Sequence, residues 1–110
     1  MNIENTKAQM RKGILEFCIL SILKKKAKYS FEILETLKVS KILVVEGTLY
    51  PLLTRLKNSE LLEYHWEESK NGPPRKYYNI TKKGKEFLSE LYVSWNELSN
   101  TVNELIKNIK

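Results

Sequence analysis

From Leu88 onward the apolar residues step by three and four without a break: Leu88, Leu91, Trp95, Leu98, Val102, Leu105 and Ile109. Steps that alternate in this way draw one continuous apolar seam along an α-helix. A chain of 110 residues buries only a modest core, so a seam this long has little to do within one copy. The spacing predicts a helix over residues 82–108, capped by Thr81, that pairs with a second chain. The flanking positions Phe87, Tyr92, Ser94, Ser99, Thr101 and Ile106 carry no charge, unlike those of a simple parallel zipper. The surface that covers the seam therefore includes more than its own twin, and a partner's apolar first helix fits.

That first helix is expected over residues 8–25, behind a polar, frayed start at 1–8. Ile14, Leu15, Phe17, Cys18, Ile19, Leu20, Ile22 and Leu23 cover nearly its whole circumference, so it must be buried on more than one side. The apolar run 14–23 is too short to span a bilayer, and Glu16 and Ser21 interrupt it. Lys7, Arg11 and Lys12 imitate the start of a signal peptide. The run leads, however, into Lys24-Lys25-Lys26 and not into a small-residue cleavage site. An untargeted, soluble, cytoplasmic protein is expected, with no membrane partner. Cys18 is the only cysteine, which excludes an internal disulfide or a cysteine-cluster metal site and reads as a small buried hydrophobe.

Next come a charged turn at 24–28 and a short helix over 30–38, with Ser30 as N-cap, Glu32 in the first turn, and Ile33, Leu34 and Leu37 facing inward. An apolar connection at 39–45 leads to a helix over 46–57. Leu49, Leu52, Leu53 and Leu56 share one side of that helix. Thr48, Tyr50, Pro51, Thr54 and Arg55 share the other, with no acid among them. Pro51 removes a backbone donor within the second turn, so the helix either starts nearer Thr48 or bends at Pro51. Two short helices with a tight link, the second offering a polar face, make a helix-turn-helix pattern.

Residues 61–66 alternate, with Leu62, Tyr64 and Trp66 on one side and Leu61, Glu63 and His65 on the other. Residues 76–80 form a second β-prone run, and the Asn-Gly and Pro-Pro pairs within 69–74 mark the loop between two antiparallel strands. Six cations and no acid lie between residues 70 and 85. A basic hairpin directly after a helix-turn-helix is the wing of a winged helix, suited to a phosphate backbone or a minor groove. The whole-chain balance of 19 cations to 13 acids, net +6, points the same way. No phosphate-binding glycine loop, no nucleophilic triad and no metal cluster can be assembled around the single His65, so no enzyme and no cofactor are expected.

The stretch Glu46-Gly-Thr-Leu-Tyr-Pro-Leu-Leu-Thr-Arg-Leu, then Leu61-Leu-Glu-Tyr-His-Trp-Glu-Glu, then Gly72-Pro-Pro-Arg-Lys-Tyr-Tyr-Asn-Ile-Thr-Lys-Lys-Gly84, resembles the PadR family of bacterial winged-helix regulators. The short single C-terminal helix is similar to the small subfamily that includes multidrug-responsive repressors. There are departures. Glu60 stands where a glycine usually follows the recognition helix, Lys28-Tyr-Ser-Phe31 replaces a more glycine-rich opening of the second helix, and Val45 is a poor cap.

The resemblance implies a mainly α fold with a small β-hairpin. Residues 1–81 would form the DNA-binding winged helix-turn-helix and 82–110 the dimerisation helix. It implies a homodimer joined through Leu91, Trp95, Leu98, Val102 and Leu105 that reads a pseudo-palindromic operator in double-stranded DNA. Thr48, Tyr50, Pro51 and Arg55 would meet DNA from the helix, Lys70, Arg75 and Lys76 from the wing, and Tyr29 and Ser30 at the backbone. It also implies a planar aromatic ligand at the dimer interface, stacked on Trp95 and lined by Phe17, Ser21, Leu88, Tyr92 and Ser99. Trp95 as plain seam core fits the sequence equally well. The functional expectation is a repressor released by such a ligand. The competing expectation is a winged-helix interaction module that dimerises without reading DNA.

Overall fold

The computed structural model describes residues 1–107, and Ile109, the last position of the apolar seam, lies outside them. The elements are α1 (Ile3–Lys12), α2 (Leu15–Lys25), β1 (Lys28–Tyr29), α3 (Ser30–Val39), α4 (Glu46–Asn58), β2 (Leu62–Ser69), β3 (Gly72–Ile80) and α5 (Lys82–Lys107).

The expected single helix over 8–25 is two helices, and the start expected to fray is helical. Asn2 caps α1, its Oδ1 accepting from the Glu4 and Asn5 amides at 2.8 and 3.3 Å. A Glu4–Lys7 ion pair at 3.7 Å and two cations in the last turn suit its dipole. The chain then turns at Gly13–Ile14, with the Ile14 amide donating to the Arg11 carbonyl, before α2 begins. The division follows composition: α1 buries no residue, whereas α2 buries Leu15, Ile19, Leu20 and Leu23.

The core gathers Ile19, Leu20 and Leu23 of α2, Ile33 and Leu37 of α3, and Leu49, Leu53 and Leu56 of α4. Leu61, Leu62, Tyr78, Ile80 and Leu88 close it from the wing and α5. Ser30 is the first residue of α3 and not its cap. Tyr29 holds that position, with its amide donating to the Glu32 carboxylate at 3.2 Å. Two residues past the end of α3 and of α4 stands a residue in the left-handed region, Lys41 (φ 66°) and Glu60 (φ 64°). The Ile42 amide reaches back to the Leu37 carbonyl at 2.8 Å and the Leu61 amide to Leu56 at 3.0 Å, the bonding pattern of a Schellman stop. In each case the two residues so joined are apolar and lie in or against the core.

α4 begins at Glu46 and runs through Pro51 as one element. Its N-cap, Val45, offers no side-chain hydrogen bond. The sheet has three antiparallel strands in the order β1-β3-β2, one more than the expected hairpin, because Lys28 and Tyr29 pair with Tyr78 and Tyr77. The wing strands also run further than expected, and Ser69 faces Gly72 across the tip after an irregularity at Glu67–Ser69. Pro73 and Pro74 are tolerated because β1 reaches only Tyr77 and Tyr78, which leaves that end of β3 unpaired on one side. Thr81 caps α5 as expected, accepting from the Gly84 amide at 2.9 Å while its hydroxyl donates to the Glu60 carbonyl at 2.7 Å.

Candidate nucleic-acid interface

Burial of Leu49, Leu53 and Leu56 fixes which way α4 faces, so Thr48, Tyr50, Pro51, Thr54 and Arg55 are left exposed. Tyr50, Pro51, Thr54 and Arg55 border an open hollow of about 600 Å³, with Asn58 and Ser59 at its end. Thr48 lies on the flank toward α1 and α2, in a second hollow with Arg11, Lys12 and Val45.

The wing meets the opposite flank. Tyr64, Trp66, Lys76 and Tyr78 share one face of the β2–β3 ladder, since Tyr64 pairs with Tyr78 and Trp66 with Lys76. Lys57 of α4 lies over the Tyr64 ring at 5.8 Å, which turns this face toward the helix. Lys76 Nζ sits 4.1 Å from the Tyr64 ring centre and 5.5 Å from that of Tyr78. Arg75 lies over the Tyr29 ring at 4.6 Å. Stacking of this kind holds long cations in place without neutralising them. A cleft of about 310 Å³ is bordered by Tyr29, Ser30, Tyr50, Trp66, Arg75, Lys76 and Tyr78, although Arg75 and Lys76, being consecutive in β3, project to opposite faces of the sheet. Lys70 stands apart from them, exposed in the turn at the tip of the hairpin.

α4 itself carries no acid on this face, but an acid reaches it from elsewhere: Arg55 pairs with the Glu16 carboxylate of α2. The pair is largely exposed, 63% at Arg55 and 32% at Glu16, so it orients the guanidinium more than it stabilises the fold. On the outer wing face Glu67 is engaged by His65 at 2.7 Å, and Glu63 accepts from Asn79 at 2.8 Å.

A third hollow, about 690 Å³, opens between α2 and α5. Phe17, Ser21, Leu88 and Tyr92 line it, with Lys24, Lys25, Ser89 and Val93. Trp95 stands beside it, 39% exposed, its ring 6.2 Å from that of Phe17. Ser99 is not among the lining residues, and its hydroxyl bonds to the Asn96 carbonyl at 3.3 Å. The Ser21 hydroxyl is likewise committed, to the Phe17 carbonyl at 2.7 Å. Burial pushes the Cys18 thiol up from its ordinary pKa, which fits a packing role. Among the described residues no group of three metal-ligating side chains forms, and no helix is long and apolar enough to cross a membrane.

Residues 19–90 match the model of the transcriptional regulator PadR-like family. The chain belongs to the PadR family. It is similar to a PadR-like transcription factor from Bacteroides fragilis, 58% identical over 92% of this chain and 98% of that one, with a TM-score of 0.77. A PadR-like transcriptional regulator from Bacillus cereus is 44% identical over 91% and 98%, TM-score 0.81. A PadR family regulator from Eggerthella lenta is 30% identical over 96% and 93%, TM-score 0.87. As a PadR protein it is a DNA-binding transcriptional regulator and not an enzyme, built on the winged helix with a long C-terminal helix.

Sequence reasoning missed two contributors at this surface. Trp66 was legible: its strand alternation with Leu62 put it on the face turned to α4, and a 62% exposed indole there asks for a reason. The Glu16–Arg55 pairing was not, because nothing local in either helix refers to the other.

Proposed function

We propose that this PadR protein is a dimeric repressor that reads a pseudo-palindromic operator in duplex DNA. The observation that carries the proposal is that Tyr29, Ser30, Tyr50, Arg75 and Lys76 border one cleft beside the exposed α4 face. In this reading Thr48, Tyr50, Pro51 and Arg55 enter the major groove, and Lys70, Arg75 and Lys76 follow the backbone from the wing. Dimerisation runs through Leu91, Trp95, Leu98, Val102 and Leu105. Leu98 and Leu105 are 58% and 67% exposed in the single chain, an apolar surface that a second copy would cover. The protein would act in the cytoplasm, where its operator is.

Release from DNA would come from a planar aromatic ligand between α2 and α5, against Phe17, Tyr92 and Trp95, with Ser21, Leu88 and Ser99 nearby. Lys24 and Lys25 border that hollow with no carboxylate among its lining residues, which favours an anionic ring system over a cationic one.

Gel shifts on the duplex upstream of its own gene test the DNA reading. A retarded band is expected that weakens steeply with salt, and no band at low salt removes the proposal. Arg55→Ala and Arg75→Ala should each cost about 1–3 kcal/mol where the side chain reaches a base. A pure interaction module would be indifferent to both changes. For the ligand, an anionic planar dye should quench tryptophan fluorescence more than a cationic one. The quenching should vanish in Trp95→Ala, and its survival there would exclude Trp95.

A further inference from the structure

The tip of the wing is held by little. Lys70 and Asn71 form its turn, and both are exposed. Ser69 and Gly72 are the last pair in register, and beyond the irregularity no cross-strand partner falls to Glu68, Pro73 or Pro74. The two prolines bring no N–H, so that end of β3 donates nothing to β2. An end pair of this kind opens easily. Gly72 adds no bulk, since a Cβ there would meet nothing within 4 Å. Asn71 is also the only asparagine in the chain that a glycine follows. Asn5, Asn58, Asn96, Asn100 and Asn103 lie in helices. Asn2 caps α1, and Asn79 of β3 donates its side-chain amide to the Glu63 carboxylate at 2.8 Å. An asparagine can close on the backbone nitrogen of the next residue when that nitrogen reaches its Cγ. Helices and paired strands withhold this geometry, and a glycine in an open turn permits it. Local charge favours it too: Lys70 is adjacent and residues 70 to 85 contain no acid, so an ionised Gly72 amide is stabilised there.

We propose that Asn71 is a site of spontaneous deamidation, a one-way covalent switch that makes the wing tip anionic and weakens the protein's hold on DNA as it ages. The Gly72 amide gives up its proton to solvent and its nitrogen bonds to Asn71 Cγ. The Cγ–Nδ2 bond then breaks, and the departing nitrogen takes a proton to leave as ammonia. Water opens the cyclic imide at either carbonyl. One opening leaves an aspartate at position 71. The other leaves an isoaspartate, whose main chain runs through the former side chain and is one carbon longer. The sum consumes one water and releases one ammonia, with nothing oxidised or reduced. Either product lowers the chain's net charge of +6 by one and sets a carboxylate beside Lys70. The longer main chain also misaligns Ser69 with Gly72. The effect on DNA rests on the DNA-binding reading above, whereas the covalent change does not.

The test ages the full-length protein at growth temperature, at mildly alkaline and at mildly acidic pH. In alkali a species heavier by about 1 Da should accumulate and run as more acidic on ion exchange. Peptide fragmentation should place the change at Asn71 before it reaches Asn58 or Asn79. At acidic pH it should form more slowly, because less of the Gly72 amide is ionised. Asn71→Gln should persist unchanged, its side chain being one carbon too long for the same closure. Aged wild type and fresh Asn71→Asp should each bind the upstream duplex about two- to fivefold more weakly than fresh wild type, the gap narrowing as salt rises. Aged Asn71→Gln should bind as it does when fresh. Thermal melts by circular dichroism check that both variants are folded. If Asn71 outlasts Asn79, which β3 holds, the site is overturned. If the change appears at Asn71 while aged wild type and Asn71→Asp keep full affinity, the switch is overturned. If fresh wild type retards no duplex, the repressor reading and the switch fall together, and the modification site stands on mass and charge.

Discussion

Glu60 is held at φ 64°, a conformation in which an L side chain crowds its own backbone. The chain tolerates it because the Schellman bonds and the Thr81 hydroxyl on the Glu60 carbonyl hold the backbone there. Glu60→Gly should relieve that crowding and raise stability by about 1 kcal/mol, read as a higher urea midpoint at unchanged m-value. This position was legible from the sequence, as a glutamate where a glycine usually stands. Glu16 was not legible in the same way. Its carboxylate neutralises Arg55 and would repel a nearby phosphate, so Glu16→Gln should tighten DNA binding. The exposure of the pair limits the gain to less than about 1 kcal/mol, roughly fivefold at most. A titration at two ionic strengths should show the gain shrinking as salt rises.

The joint between α4 and α5 decides how these elements act together. Gly84, in the first turn of α5, lies so close to the end of α4 that an added Cβ would fall 2.2 Å from the Leu61 carbonyl oxygen and 2.7 Å from Ile80 Cγ1. Both neighbours are held: Leu61 accepts from the Thr81 amide at 3.1 Å, and Ile80 is core. Gly84→Ala should therefore destabilise by about 1–3 kcal/mol, seen in thermal or urea unfolding. The longer elements were legible because each has a periodic apolar face: α4 through Leu49, Leu53 and Leu56, and β2 through its alternation. The break between α1 and α2 was hidden, because nothing in the run up to Ile14 signals a stop except Gly13, whose φ of −68° needs no glycine. β1 was hidden because two residues carry no period, and its pairing partners lie far along the chain.

At the scale of the whole molecule, the outward side of α5 was written in the sequence as a seam before any partner was in view. Within one copy the core covers the start of that seam, Leu88 and Leu91, and the rest is left uncovered, with Trp95, Leu98, Val102 and Leu105 all exposed. In the proposed dimer a second copy would cover it, an expectation that the length and spacing of the seam already carry. α5 is one uninterrupted helix of 26 residues, about 39 Å long, packed at Gly84 against Leu61, just beyond the element proposed to read DNA. In the proposed dimer it would work as a ruler as well as a clasp. One alanine inserted after Glu90 turns everything beyond it through about 100°, and the protein should sediment as monomer at micromolar concentration. Seven inserted residues bring the seam back into line and should restore the dimer. The two reading heads would then stand further apart by up to about 10 Å for each lengthened arm, so the protein should stay paired yet abandon its own operator for one with a wider gap between half-sites.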